Sequence, residues 1–249
     1  MPKDGLIIAG GNDRRVIEAL AGIEATIELA ALAEGFAWST RSLGIENGCH
    51  VGEVLYKGQK VCELRPALPG EHNLINATMA LAACRACGVE PQKAADAFAT
   101  FTGVDRRMML VGKINGATVV DDYGHHPTEI RATLKALRER YNPKRLICVF
   151  QPHQHSRTRF LLDDFANSFA AADETIVPDI YFVRDSETER QRVSADDLVK
   201  RISEQGHRAQ HLPKFDEIIA HLRTEARGGD LIVTMGAGNV WEIGRDLVG

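Results

Sequence analysis

The 249-residue sequence predicts an α/β protein whose second half is built on a mostly parallel sheet. Beyond residue 105, short apolar runs alternate with amphipathic helical segments, the rhythm of strands joined by helices on both faces of a sheet. The polar motifs of that half directly follow such apolar runs, where a parallel sheet presents its ligand-binding loops. Hydrophobic residues make up 44% of the chain, enough for a packed core.

In chain order, residues 5–11 read as a buried strand and residues 13–22 as a helix. From about 36 to 68 the sequence alternates loosely. The runs His50–Tyr56 and Gln59–Leu64 flank Lys57-Gly58 as a β-hairpin would. Gly70 to Cys87 reads as a helix stopped by Gly88, and Pro91 opens another that ends near Phe101-Thr102-Gly103. The second half then runs Ala117–Val120 and a helix from Pro127, Leu146–Phe150 and a helix from about 158, Thr175–Val177 and a helix from about 195. A helix from Phe215, the run Leu231–Thr234 and a helix from Asn239 complete it. A domain joint is expected at 102–107, with residues 1–104 before it and 105–249 after it.

Lysine and arginine total 30 against 34 acidic residues, a net charge of -4, which speaks against a general nucleic-acid binder. No apolar run approaches the roughly 18 residues of a membrane span, and the N-terminus does not open a signal peptide. An odd, scattered set of five cysteines then suggests reduced thiols in the cytoplasm. Cys84 and Cys87 have C-x-x-C spacing, but they lie in an alanine-rich helical stretch without a second ligand pair. They are expected to be small buried helix residues.

Five constellations carry chemistry. Asp121-Asp122-Tyr123-Gly124-His125-His126-Pro127 follows the run 117–120 and presents carboxylates and imidazoles at a strand end. Gln151-Pro152-His153-Gln154-His155-Ser156-Arg157-Thr158-Arg159 follows the run 146–150 and brings histidines, arginines and hydroxyls to what is expected to be an adjacent strand end. Either motif could instead supply helix caps and solvated loop residues. Met235-Gly236-Ala237-Gly238-Asn239 is a glycine-rich strand-to-helix turn, suited either to an anion at a helix N-terminus or to tight packing. Arg106-Arg107 could reach a phosphate or be merely solvated. Asn73 and Asn76, one helical turn apart, could together read the donor and acceptor edge of a base.

Taken in order, Gly-x-His-Asn-x-x-Asn-Ala, Gly-Val-x-Arg-Arg, Asp-Asp-Tyr-Gly-His-His-Pro-Thr-Glu, Phe-Gln-Pro-His with Ser-Arg-Thr-Arg, and Met-Gly-Ala-Gly resemble the Mur ligase family. The resemblance is good from about residue 70 onward and thinner over 1–69. It implies the remainder of a central ATPase domain (1–104), followed by a Rossmann-like, amino-acid-binding C-terminal domain (105–249). It also implies an ATP-dependent amide-bond ligase of peptidoglycan precursor synthesis, with ATP and Mg2+ as cofactors. Tyr123-Gly124 favours the branch that joins L-alanine to UDP-N-acetylmuramate through an acyl phosphate; the branch that recycles murein tripeptide would carry Phe-Ala. By motif position His72, Asn73, Asn76, Arg106, Arg107, Asp122 and Tyr123 would belong to the ATP side. His125, His126, His153 and Arg157 would meet the substrates. His125 would orient or deprotonate the incoming amine, and Arg157 would hold a carboxylate or the transferring phosphate, with Asp122 beside them as a third catalytic candidate.

The sequence departs from the family pattern at Gln154 and His155, where an arginine and an aromatic residue are usual. The family's Gly-Lys-Thr or Gly-Lys-Ser phosphate loop is absent, as are its UDP-binding domain and early magnesium ligands. The expectation is therefore a C-terminal portion, inactive without the preceding domains. The alternatives are a non-catalytic relic of the fold, or a metal-dependent hydrolase using Asp122, His125, His126, His153 and His155. No metal ligand is assigned.

Overall fold

The computed structural model describes residues 2–249 and divides them into two compact units, one ending at Thr102 and the other beginning at Gly103.

The first unit runs β1 (Leu6–Gly10), α1 (Arg14–Ala19), β2 (Thr26–Ala31), β3 (Trp38–Glu46), β4 (Cys49–Tyr56), β5 (Gln59–Leu64), α2 (Glu71–Ala86) and α3 (Pro91–Phe98). Its sheet has the order β1-β2-β3-β4-β5, parallel through β3 and antiparallel thereafter. The expected hairpin is β4–β5, turning through Lys57 and Gly58, both at positive φ. Helix α2 buries Leu74, Thr78, Leu81 and Ala82, a stripe at helical spacing. Thr78 and Thr40 share a buried hydroxyl–hydroxyl hydrogen bond at 2.7 Å that ties the helix to β3. Gly88 at φ 84° stops α2, with the Val89 N–H donating to the Cys84 carbonyl.

All five cysteines are free thiols. The expectation of two small buried residues at Cys84 and Cys87 is corrected. Cys84 stands on α2 and is half-buried, while Cys87 is the exposed residue that caps the helix C-terminus; neither belongs to the buried stripe Leu74, Thr78, Leu81 and Ala82.

The second unit runs β6 (Met109–Ile114), β7 (Ala117–Asp122), α4 (Pro127–Tyr141), β8 (Arg145–Phe150), α5 (His155–Phe160), α6 (Leu162–Ala166), β9 (Glu174–Val177), α7 (Glu187–Arg190), α8 (Ala195–Glu204), β10 (Ala209–His211), α9 (Phe215–Glu225), β11 (Asp230–Met235) and α10 (Trp241–Val248). Sheet order is β10-β9-β8-β11-β7-β6, parallel throughout except for the β6–β7 pair. Successive side chains enter opposite cores. Val120, Cys148, Phe150 and Val233 meet the α4, α6 and α8 side with Leu134, Phe165 and Leu198. Val119, Ile147, Val149 and Ile232 meet α9 and α10 with Ile218, Leu222 and Ile243. Each such side chain withdrawn from water contributes about 1.5–3 kcal/mol, so the central strands form a rigid base for the loops above them.

Two sequence expectations change here. The motif-bearing strands β7 and β8 are not neighbours, because β11 returns to lie between them. The glycine turn that follows β11 therefore stands between the two motif loops. The helix after β8 begins at His155, three residues before its expected start, since Gln154 takes φ 69° and turns the chain immediately into α5.

Candidate functional site

Strands β7, β11, β8 and β9 run parallel, so the loops after residues 122, 235, 150 and 177 all leave the same edge of the sheet. The chain steps from β7 over β11 to β8, continues outward to β9 and β10, then returns to β11. The opening between β7 and β8 is thus the place where the strand order reverses, the position at which open α/β sheets bind ligands.

After β7, Asp122 is buried and accepts hydrogen bonds from the Gly124 N–H (2.7 Å), the Met108 N–H (2.9 Å) and the Thr133 hydroxyl (3.4 Å). Burial pushes its carboxyl up, while the two backbone donors and Arg107 pull it back. With its oxygens so occupied, Asp122 is a framework group that shapes the loop rather than one open to substrate. Asp121 is likewise buried and accepts from Thr234 (2.7 Å) and from Nε of Arg106 (3.0 Å).

The two arginines part company. Arg106 sits at φ 61° and donates its remaining nitrogens to the carbonyls of Gly236 (2.6 Å) and Gly238 (3.1 Å). Arg107 is exposed, 3.7 Å from Glu129 and 5.5 Å from the Tyr123 ring centre. The phosphate reading suits Arg107 better than Arg106, whose guanidinium holds the glycine turn in place. Tyr123, half open to solvent, lies under Arg106 at 4.9 Å and meets the His125 ring edge-on at 5.5 Å.

His125 and His126 point to different tasks. Nδ1 of His126 accepts from the Thr128 N–H and lies 3.0 Å from its hydroxyl, capping α4, while Pro127 takes the first helical position. Nδ1 of His125 lies 3.1 Å from the Tyr123 carbonyl. A carbonyl only accepts, so this nitrogen carries the proton and Nε2 keeps the free lone pair. Glu129 completes the turn, accepting from the N–H groups of His125 (2.9 Å) and His126 (3.1 Å). Burial raises its carboxyl, but those donors, the His125 ring and Arg107 prevail and hold it below the usual carboxylate range.

After β8, Gln151, His153, His155 and Arg157 each contain a buried polar atom without a partner: Oε1, Nδ1, Nδ1 and Nη1 respectively. Buried polar groups are ordinarily satisfied, so four such atoms within seven residues mark a segment built to receive a polar ligand or bound water. The His153 and His125 rings lie 6.4 Å apart, which brings the two motifs together over the β11 turn. Burial, with Arg157, His125 and Arg184 nearby, pushes His153 below the usual imidazole value, and burial does the same to His155. Both are therefore neutral bases at physiological pH.

The glycine turn after β11 is explained by packing. A Cβ at Gly238 would stand 2.5 Å from Gln151 Oε1 and 2.8 Å from Tyr181 Cγ. One at Gly236, where φ is 149°, would stand 2.7 Å from the Gln151 carbonyl. Both glycines let β8 and the loop after β9 approach the turn closely.

In the first unit, Asn73 and Asn76 do share a helix face, with Nδ2 of Asn76 3.5 Å from Oδ1 of Asn73. Asn73 also donates to the Pro69 carbonyl (2.8 Å), so its carboxamide is largely occupied, while Asn76 is the exposed member. His72 lies half-buried on the same first turn. Among the described residues no group of three His, Cys, Asp or Glu side chains is arranged to hold a metal ion. No helix among them is long and apolar enough to cross a membrane.

Glu129 and Tyr181 were not singled out from sequence. The spacing His126-x-x-Glu129 at a helix start was a readable signal for the first. Tyr181 lies in a loop remote in sequence from both motifs and gave none.

A mostly parallel sheet with polar loops at a strand-order reversal, one carrying paired histidines and another a His-x-x-x-Arg segment, is a Rossmann-like arrangement. Residues 106–238 match the family model described as Mur ligase, glutamate ligase domain, and the chain belongs to the Mur ligase family. It is 40% identical over its whole length to a UDP-N-acetylmuramate–L-alanine ligase of Caldanaerobacter subterraneus subsp. tengcongensis, covering 54% of that protein. It is 37% identical to the ligase of the same name from Acetivibrio thermocellus, over 98% of this chain and 52% of that one. The chain thus spans about half the length of the curated relatives it matches. Among solved structures it is similar to UDP-N-acetylmuramate–alanine ligase from Thermotoga maritima (TM-score 0.76, 21% identity, 97% of this chain and 50% of that one). It is also similar to a murein peptide ligase from Psychrobacter arcticus (TM-score 0.70, 26% identity, 99% and 51%).

Proposed function

We propose that residues 103–249 form the amino-acid-binding domain, and residues 2–102 part of the ATP-binding domain, of a ligase that joins L-alanine to UDP-N-acetylmuramate. The observation that carries the reading is the pairing of His125 with His153 over the β11 turn, beside the unpartnered Arg157 nitrogen. The relatives named above supply the substrate pair.

In this reading ATP supplies a phosphoryl group that activates the lactyl carboxylate as an acyl phosphate. This chain's residues serve the attacking amine. Nε2 of His125 has the free lone pair and takes a proton from the ammonium of L-alanine, aided by Glu129, which fixes the imidazole-bearing turn. His153, held neutral, accepts or donates a hydrogen bond without adding a second positive charge. Arg157 offers its buried Nη1 to a carboxylate or phosphate oxygen. In the second unit Tyr123 is exposed and fits a stacking surface for a base, and Arg107 fits a phosphate. In the first unit, taken by itself, the exposed Asn76 carboxamide fits a base edge. Magnesium does not fit the residues present: Asp122, the best-placed carboxylate, is already bonded to three donors, and no step is assigned to the ion here.

Since the sequence contains no Gly-Lys-Thr or Gly-Lys-Ser, residues 1–249 alone bind ATP poorly and do not turn over. The test is an NMR titration of the 249-residue chain with L-alanine, with D-alanine as control. Shifts confined to residues 123–126 and 151–157, seen with the L-isomer alone, support the reading. Saturating L-alanine that shifts neither segment overturns it.

A further inference from the structure

Tyr181 belongs to none of the motifs, yet it touches both the β8 loop and the β11 turn. It lies in the loop after β9, where its N–H donates to the Pro152 carbonyl (2.9 Å) and its own carbonyl accepts from the Gln154 N–H (3.1 Å). These two bonds bracket His153, forming an isolated parallel bridge between residues 153 and 181. The Tyr181 ring stacks on the His153 imidazole with centroids 5.5 Å apart and planes inclined by 21°. Its other side is closed by the turn after β11, where the absent Cβ of Gly238 leaves room for Cγ.

We propose that Tyr181 is a positioning residue that clamps the His153 ring so that Nε2, and not Nδ1, is presented beside His125. The inference rests on the reading of this edge as the amino-acid site and adds the residue that orients one of its two imidazoles.

The chemistry follows from the clamp. Nδ1 of His153 is buried without a partner. A buried N–H left unbonded costs more than a buried lone pair left unbonded, so the neutral ring carries its proton on Nε2. His125 has the opposite tautomer, fixed by the Tyr123 carbonyl. The pair therefore offers one Nε2 donor, at His153, and one Nε2 acceptor, at His125. A small zwitterion presents the complementary set: a carboxylate that accepts and an ammonium that donates. The charged groups near His153 are Arg157 and Arg184, and His125 is the titratable neighbour; all three disfavour its protonation. None of them orients the ring; the stacked tyrosine does.

The experiment uses the full 249-residue chain with 15N-labelled histidine, following the imidazole signals of His153 from pH 5 to 8 in wild type, Tyr181→Phe, Tyr181→Leu and Tyr181→Ala. In wild type His153 titrates below the usual imidazole value and is Nε2-protonated when neutral. Tyr181→Phe retains ring and backbone and leaves both properties unchanged. Tyr181→Leu and Tyr181→Ala admit solvent and free the ring, so the midpoint rises by about half a pH unit and the neutral tautomers mix. His125 signals stay in place in all four proteins. Unchanged His153 signals in the Leu and Ala variants overturn the proposal. An equal change in Tyr181→Phe overturns it too, because the hydroxyl and not the stacked ring would then be responsible. Adding L-alanine separates the two readings: if the variants behave as stated but L-alanine shifts no histidine signal, the clamp stands and the amino-acid site does not.

Discussion

Arg106 and Asp121 form an ion pair at 3.0 Å in which the carboxylate is buried and the guanidinium is 21% exposed. The remaining guanidinium nitrogens grip the carbonyls of Gly236 and Gly238, so one side chain joins the approach to β6, the end of β7 and the turn after β11. Removing it would strand a buried carboxylate and two carbonyls. Arg106→Met is expected to destabilise the protein by about 2–4 kcal/mol, while Arg107→Met, on the surface, costs less than about 1 kcal/mol. Urea denaturation of the two variants checks this, and equal effects would contradict the separate roles given to the pair.

Glu129 closes a capping box whose oxygen takes the N–H groups of both His125 and His126. Glu129→Ala is expected to cost about 1 kcal/mol in helix stability and to broaden the His125 signals. Glu129→Gln keeps an acceptor oxygen and retains most of the stability. Denaturation midpoints and histidine spectra of both variants provide the measurement.

His153 and His155 titrate below the ordinary imidazole value of about 6.5, so the unfolded chain binds more protons than the folded one just below that pH. Stability rises with pH wherever the unfolded state holds more protons. The contribution of these two groups is therefore fully present above about pH 6.5 and is lost as the pH falls from there toward their folded values. Glu129 and Asp185, whose carboxyls are held low, act in the same direction but only in the carboxylate range, further into acid. Urea midpoints at pH 5.5 and 7.5 are expected to be higher at the latter. The double substitution His153→Gln, His155→Phe should flatten that difference.

Gly238→Ala would press a methyl group onto Gln151 Oε1 and Tyr181. A cost of about 1–3 kcal/mol is expected, together with displacement of the His153 signals. Gly10→Ala, with open space around the added carbon, is the control.

Much of the second unit was legible because its strands are short, apolar and separated by capped helices. Pro127 with Glu129 and Ser194 with Asp197 announce helix starts in sequence as clearly as in space. The strands Trp38–Glu46 and Met109–Ile114 were not recognised as elements, since two-thirds of the first is exposed and the second is a largely open edge strand. The candidate site was legible to the extent that its residues are local: His125, His153 and Arg157 lie in contiguous motifs, whereas Asp122, also expected there, is a framework group. What sequence could not reveal is the division of labour within each motif. Whether Arg106 or Arg107 is free, and whether His126 caps a helix, depends on groups more than a hundred residues away or on a rotamer. The return of β11 between β7 and β8 is a property of strand order, which local patterning does not encode.

The central claim is that this chain supplies the L-alanine side of the ligase. The most direct measurement joins residues 1–249 to the preceding half of the Caldanaerobacter relative and follows phosphate release. The expected result is release that requires both UDP-N-acetylmuramate and L-alanine and falls at least about a hundredfold in His125→Ala. Release that ignores L-alanine, or that survives His125→Ala unchanged, would contradict the claim.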